Sequence, residues 1–299
     1  MNAKGKYWDE AWNTVIGCTK CSPGCLNCWA EKMAGRLAAM AENHPDCQYA
    51  KGIGKYWRVI DCHWWNNKIV CDESILDKPL HWRKPRTVFV NNMGDTFHPV
   101  VPFEFVNKMC AVMVLCPQHK FLILTKRPDR MLEYFKIQRP RIYFEALKFM
   151  TKPEQKQLFN GFPLPNVVLM TTICSQAEAD KNIPLILQTP AAQRGLSIEP
   201  MLGPVDLKLF KGHTIKTTRL ENGKPCYRNL DTGARLSWVV AGCESGPNRR
   251  PCKIEWMIDI VQQCQAAGVK VFVKQVDLDG RVSKNMSDWP LELQVRDDL

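Results

Sequence analysis

Residues 12–31 read WNTVIGCTKCSPGCLNCWAE. Four cysteines, Cys18, Cys21, Cys25 and Cys28, fall within eleven residues of one another. Packing does not account for that density, because neighbouring thiols cannot all turn into one core. They share a metal or cluster, or they pair as disulfides. The segment 13–16 just before the loop predicts a short strand. The segment 27–41 after it predicts a helix, with Trp29, Met33, Leu37 and Ala41 on one face and Glu31, Lys32, Gly35 and Arg36 on the other. A strand that runs into a loop and then a helix is one β–loop–α unit.

That unit repeats along the chain. Strands are predicted at 87–91, 120–125, 166–172, 194–198, 238–241 and 270–273, and helices at 103–115, 129–135, 177–187 and 253–267. The run FLILT at 121–125 is nearly continuously apolar, as a strand buried on both faces must be. Repeated right-handed crossovers curl such a sheet toward a full or partial barrel. The expected fold is therefore α/β, a partial (βα) barrel over residues 1–275. Three excursions interrupt it: a Cys/Trp-rich insertion at about 42–86, a helical Lys/Arg-rich one at 137–165, and a β-hairpin insertion at 212–236 with an Asn222-Gly223 turn signal. Residues 276–299 read as a polar tail docked through Trp289. In barrels of this kind chemistry gathers at the carboxyl ends of the strands, and the cysteine loop falls at that end.

The 299-residue chain is 45% hydrophobic and 24% charged, ordinary values for a globular protein. It has no apolar run long enough to span a membrane, and its first residues lack the apolar core of a secretory signal. A cytoplasmic, reducing location is expected. There a dense cysteine pattern favours metal or catalysis over disulfides. Of the fourteen cysteines, Cys110, Cys116, Cys174 and Cys264 sit in apolar contexts and read as small buried hydrophobes. The net charge of +11 suggests an anionic partner, DNA or RNA first, with a merely solvated basic surface as the plain alternative.

Polar residues recur just past the predicted strand ends: Asn92, Gly94 and Asp95; Lys126 and Arg127; Thr172 and Ser175; Glu199; Glu244 and Ser245; Lys274 and Gln275. Single polar residues there mean nothing, and Asp95, Ser175 and Ser245 also suit helix caps. Six groups in register around a curled sheet read better as the lining of a pocket. Glu199, Glu244 and Lys274 are the candidate catalytic residues.

The cysteine loop admits three readings. Read from Cys21 it is C-x3-C-x2-C, the spacing by which radical S-adenosylmethionine (SAM) enzymes hold a [4Fe–4S] cluster on three thiolates and leave one iron open for SAM. Read whole it is C-x2-C-x3-C-x2-C, near a closed ferredoxin-type run. Read as paired knuckles it is a structural zinc site, disfavoured by the short separation of the pairs. Gly24 permits close backbone approach, and the positive end of the following helix favours an anionic cluster.

Beyond this loop, NNMGDTFHPVVP (91–102), FLILTKRPDRM (121–131), QTPAAQRGLSIEPMLGPVDL (188–207) and AGCESGPNRRPCKIEWMIDIVQQCQAAGVKVFVKQ (241–275) follow in order. Together these segments resemble a phage-associated three-cysteine-motif family of unknown function, itself similar to radical-SAM partial barrels. The resemblance implies ligands at Cys18, Cys25 and Cys28. This chain departs from it in carrying Cys21, where a small apolar residue is usual, and Cys243, where glycine is usual. It further implies that Gly94 and Asp95 hold the SAM amino group, and that Thr172, Glu199 and Glu244 face the SAM ribose or the substrate.

A second set, Cys47, Cys62, His63 and Cys71, has ligand types suited to zinc, with scattered cysteines as the alternative. The same insertion interleaves Lys51, Lys55, Tyr56, Trp57, Arg58, Trp64, Trp65, Trp82, Arg83, Lys84 and Arg86, and the hairpin adds Lys216, Arg219, Lys224, Arg228 and Arg235. Such mixtures bind nucleic acid through phosphate contacts and base stacking. The expectation is a radical SAM enzyme fed by an electron donor. Cleavage of SAM would yield methionine and a 5′-deoxyadenosyl radical, which abstracts hydrogen from the substrate, a nucleic acid or nucleotide. The rivals are a non-enzymatic, zinc- or cluster-stabilised nucleic-acid-binding protein, and a barrel that keeps the cluster without SAM cleavage, with Cys21 as fourth ligand.

Overall fold

A computed structural model describes residues 5–43, 53–137, 139–150, 162–210, 213–221, 224–228 and 234–299. Its centre is an eight-stranded sheet: β1 (Glu10–Trp12), β2 (Thr87–Val90), β3 (Lys120–Thr125), β4 (Val167–Thr172), β5 (Gln193–Ile198), β6 (Trp238–Gly242), β7 (Lys270–Leu278) and β8 (Arg281–Ser283). Spatial order equals chain order. The first seven strands pair parallel and β8 closes antiparallel on β7. The helices are α1 (Trp29–Asn43), α2 (Phe103–Leu115), α3 (Pro128–Ile137), α4 (Arg139–Leu147), α5 (Gln176–Gln188) and α6 (Ile254–Ala267).

Side chains alternate across the pleat, so each strand feeds two apolar layers. Phe121 and Ile123 of β3 join Val106, Met109 and Met113 of α2 and Met131, Tyr134 and Phe135 of α3 in the larger core. Val239 and Val271 meet Met257, Ile260 and Cys264 of α6 in the same layer. Leu122, Val168, Met170, Trp238, Val240 and Phe272 point the other way and form a separate cluster with Tyr7 and Trp8. Being buried on both faces is what makes Val167–Thr172 apolar except for its last two threonines. Tyr7, just before β1, puts its ring 6.2 Å from Phe89 of β2, 5.1 Å from Trp238 of β6 and 5.4 Å from Phe272 of β7. One aromatic thus touches strands near both edges of the sheet.

Three expectations need correction. The first strand is Glu10–Trp12 rather than 13–16. After Trp12↔Val90 the register ends, because Asn91 takes a left-handed φ of 57° and its Oδ1 accepts the Val15 amide at 2.9 Å. Val15–Ile16 instead pairs antiparallel with Val70–Cys71 of the insertion. The tail is not merely polar: β7 runs on to Leu278 and turns into β8. The rest returns to the sheet with Trp289 and Leu293 buried, the Val273 amide donating to Val295 O, and Arg296 Nε donating to Val273 O. Helix α1 starts two residues later than expected, at Trp29.

The hairpin insertion is present as His213–Glu221 paired antiparallel with Lys224–Arg228. Its turn at 222–223 lies outside the described residues, as do the side chains of Lys216, Arg219, Lys224 and Arg228. Among the described residues no helix is long and apolar enough to cross a membrane.

Candidate active site

At the carboxyl ends of the parallel strands lies a cavity of about 290 Å³. Cys18, Cys21, Cys25 and Cys28 line it together with Gly94, Asp95, Thr172, Glu199, Glu244 and Lys274. These residues are more than 200 positions apart at the extremes, and the strand order gathers them. Ser175 is not in the lining. Its hydroxyl caps α5, accepting the Glu178 amide at 3.4 Å, while Glu178 Oε2 accepts the Cys174 amide at 2.6 Å.

The cysteine loop is strapped from both sides by arginines. Arg127, just past β3, donates from Nη2 to Thr19 O and Thr19 Oγ1, each at 3.0 Å, and its Nη1 reaches Cys18 Sγ at 3.8 Å. Asp95 holds that guanidinium at 2.9 Å and accepts the Phe97 amide, the Thr125 hydroxyl and the Lys126 amide as well. On the far side Arg250 donates to Pro23 O at 2.9 Å and grips Glu244 through Nε at 3.1 Å and Nη2 at 2.5 Å. Asn27 Nδ2 donates to the same carboxylate at 3.0 Å. Asp95 and Glu244 are thus occupied by protein donors. Glu199 has a lighter set: Lys274 Nζ at 2.6 Å and Gln275 Nε2 at 3.5 Å.

Within the loop, Pro23–Cys25 forms one 3-10 turn capped by Ser22, whose Oγ accepts the Gly24 amide at 3.0 Å. A Cβ on Gly24 would sit 2.3 Å from Cys174 Sγ, so only glycine fits there. Gly94 is equally confined: a Cβ would lie 2.6 Å from Val15 O. Cys28 stands immediately before α1, at its positive end.

Electrostatics differ sharply among the thiols. Cys25 is held down at about 5, chiefly by the hydrogen bond from Cys21, whose own value is raised by the same contact. Cys18 is pushed up to about 12 by burial first and Asp95 second, against the pull of Arg127. Burial likewise raises Cys28. Lys126 is penalised by burial, yet the Cys174, Cys25 and Cys28 thiols and the Glu178 carboxylate outweigh that and raise it. The Glu244 carboxyl is raised by burial but lowered further by Arg250 and Asn27.

Four thiols with two neighbouring cations suit an iron–sulfur cluster in donor chemistry and in charge, since thiolate-bound clusters are anionic groups. As the side chains lie, no three His, Cys, Asp or Glu among the described residues are gathered closely enough to hold a metal ion. That includes the second set: Cys62 and His63 are exposed, Cys71 is half-buried beside Val15, and Cys47 lies outside the described residues. Cys18, Cys21, Cys25 and Cys28 are free thiols, as are Cys62 and Cys71.

Sequence reasoning passed over several residues of this site. Cys174 looked like an ordinary core thiol because its neighbours are apolar, and nothing local revealed that it abuts Gly24. Arg127 is among the expected strand-end residues, but its hold on the Thr19 carbonyl is not legible there, and Arg250 is only one of two cations in NRRPC. Tyr7 and Trp8, which form part of the cavity lining, carried no signal at all. The basic–aromatic set also divides. Trp82, Arg83, Lys84 and Arg86 precede β2 at the amino edge, where Trp82 packs 5.5 Å from His119 under Arg86. Lys51 lies outside the described residues.

Fold and site define an α/β protein whose parallel sheet carries a cysteine-lined cavity at its carboxyl edge. The chain belongs to the family described as "Protein of unknown function (DUF5131)", whose model matches residues 2–289. No curated protein and no solved structure matches it.

Proposed function

We propose that this protein is a radical SAM enzyme built on a partial barrel and working in the cytoplasm. One observation carries the reading: the cysteine loop and the strand-end residues Thr172, Glu199, Glu244 and Lys274 line a single cavity. Seven parallel strands in sequential order support the partial barrel, since right-handed crossovers then leave every helix on one face. The other face packs on Tyr7 and Trp8, and the Tyr7 contacts to both flanks agree with a sheet that curls on itself. Likeness of the five motif segments to the phage-associated three-cysteine family belongs to the same reading.

In this reading Cys25 and Cys28 hold a [4Fe–4S] cluster with either Cys18 or Cys21. When bound, the cluster and SAM would supply reductive cleavage of SAM from an external electron donor. The chain's own tasks are positional. Arg127 and Arg250 fix the loop, with Asp95 and Glu244 holding the two guanidiniums. Lys126 offsets thiolate charge. The Gly94 strand end brings its backbone against Val15–Gly17 and so sets the loop's origin. Glu199 and Lys274, less encumbered, face the ligand space and act on substrate or SAM. Tyr7 and Trp8, on the aromatic side, exclude water from beneath.

The test is anaerobic reconstitution with iron and sulfide, followed by EPR of the reduced protein with and without SAM. A [4Fe–4S] signal that changes on adding SAM is the expected result. A signal blind to SAM favours closed ligation by all four cysteines, and stoichiometric zinc without a reconstitutable cluster overturns the radical reading. Cys21→Ala with unchanged cluster content and SAM response would assign Cys18 as third ligand.

A further inference from the structure

Three of the ten tryptophans are exposed: Trp29 at 49%, Trp57 at 56% and Trp64 at 57%. All three sit on one stretch of the chain, α1 and the first part of the insertion, of which Trp57 and Trp64 lie outside the cavity lining. Trp29 and Trp65 belong to the cavity lining itself. Trp64 stands next to Trp65 on the hairpin Ile60–Asp61/Trp64–Trp65, and Lys20 of the cysteine loop lies 4.6 Å from its ring centre. Leu26, between two loop cysteines, is 59% exposed. A grouped exposure of large rings at a cavity mouth marks a binding surface.

Charge selects the partner. Segments 17–43 and 53–68 carry Lys20, Lys32, Arg36, Lys55, Arg58 and Lys68. Lys20 is paired with Glu31 and Lys55 with Asp72, which leaves Lys32, Arg36, Arg58 and Lys68 against Glu42 and Asp61. Glu31 is buried and already spent on Lys20 and the Trp65 amide. Lys284 adds an exposed cation on the opposite rim.

We propose that this face binds single-stranded nucleic acid, with bases stacked on Trp29 and Trp64, and delivers one base into the cavity. Delivery to chemistry rests on the radical SAM reading; the binding surface does not. A duplex is disfavoured because its base faces are already stacked, whereas every unpaired base offers a π-face to an indole.

The experiment uses the full chain with a fluorescein-labelled, mixed-sequence single-stranded oligonucleotide, its duplex, and phosphatidylserine vesicles, read by anisotropy and co-sedimentation across a salt series. Single-strand binding that weakens with salt is expected. Trp29→Ala and Trp64→Ala should each weaken it about 5- to 100-fold, and Trp→Phe at either position should restore much of the loss. Equal affinity for the duplex, indifference to both tryptophans, binding to vesicles alone, or no binding would each overturn the proposal. EPR with SAM on the same preparation separates the two readings. A SAM response without oligonucleotide binding removes the substrate class only, and binding without a SAM response removes the radical chemistry only.

Discussion

Gly24 of the cysteine loop has Cys174 where its own side chain would stand, and the two lie 150 positions apart. Because a Cβ at position 24 would fall 2.3 Å from the Cys174 sulfur, Gly24→Ala must displace the 3-10 turn or the Cys174 side chain. Removing the sulfur relieves that clash, so Gly24→Ala and Cys174→Ala should be strongly non-additive. Urea unfolding of the two single variants and the double is the check. The double should be more stable than Gly24→Ala alone, and additive losses would mean that the loop tolerates a side chain there. Arg127 makes a second case. Asp95 and Arg127 are 7% and 10% exposed, so Arg127→Met leaves a buried carboxylate without its counter-charge. A loss of about 3–5 kcal/mol is expected from urea titration, with Asp95→Asn/Arg127→Met together costing less than the two singles summed.

Among the connecting elements, the insertion is tied to the rest of the protein by several polar contacts, among them Trp12 Nε1 to Ile75 O, Lys108 to Glu73 and the pairing of Val15–Ile16 with Val70–Cys71. Asp72 is central to them: its amide donates to Thr14 O, its Oδ1 caps the turn Glu73–Ile75 through the Ser74 amide, and its Oδ2 accepts Lys55 Nζ at 2.9 Å. Burial raises the Asp72 carboxyl, but the Ser74 and Lys55 hydrogen bonds outweigh it and hold it below the ordinary value. A carboxyl depressed by folding contributes stability above its unfolded value of about 3.9, and that contribution disappears as pH falls through the lower folded value. Acid should therefore loosen the insertion, measured as protease cutting or amide exchange in segment 53–75. Asp72→Asn should remove that part of the pH dependence while lowering stability at neutral pH.

The same elements explain what could be read in advance. Strands such as Lys120–Thr125 and Val167–Thr172 are continuous apolar runs, a signal that survives without partners. Cysteine spacing and strand-end polarity pointed to one cavity because both are local patterns with a shared phase. Val15–Ile16 was misplaced because its partner, Val70–Cys71, lies in a stretch with no periodicity. The β1 strand, Glu10–Trp12, is too short and too polar to register. Arg127 and Arg250 act through backbone carbonyls of the loop, and no residue pattern encodes a carbonyl's position. Tail burial rests on isolated anchors, Trp289, Leu293 and Arg296, rather than on a repeat.

Taken across all its strands, the protein poses one mechanical question: what holds the first strand and the seventh in fixed relation. Tyr7 is the residue placed to do so, with edge contacts to Trp238 and Phe272 on one flank and a tilted contact to Phe89 on the other. It is half-buried, so Tyr7→Ala should cost about 3 kcal/mol, the lower end of the range for aromatic truncation. The more telling readout is where protection is lost. Hydrogen exchange should rise together in β1 and β7, which are adjacent only if the sheet curls, and should stay unchanged in β4 at its middle. The cavity should open as well, because Tyr7 and Trp8 are part of its lining. Loss confined to β1 would mean that the two flanks are independent, and with that the proposed curl of the sheet would fall.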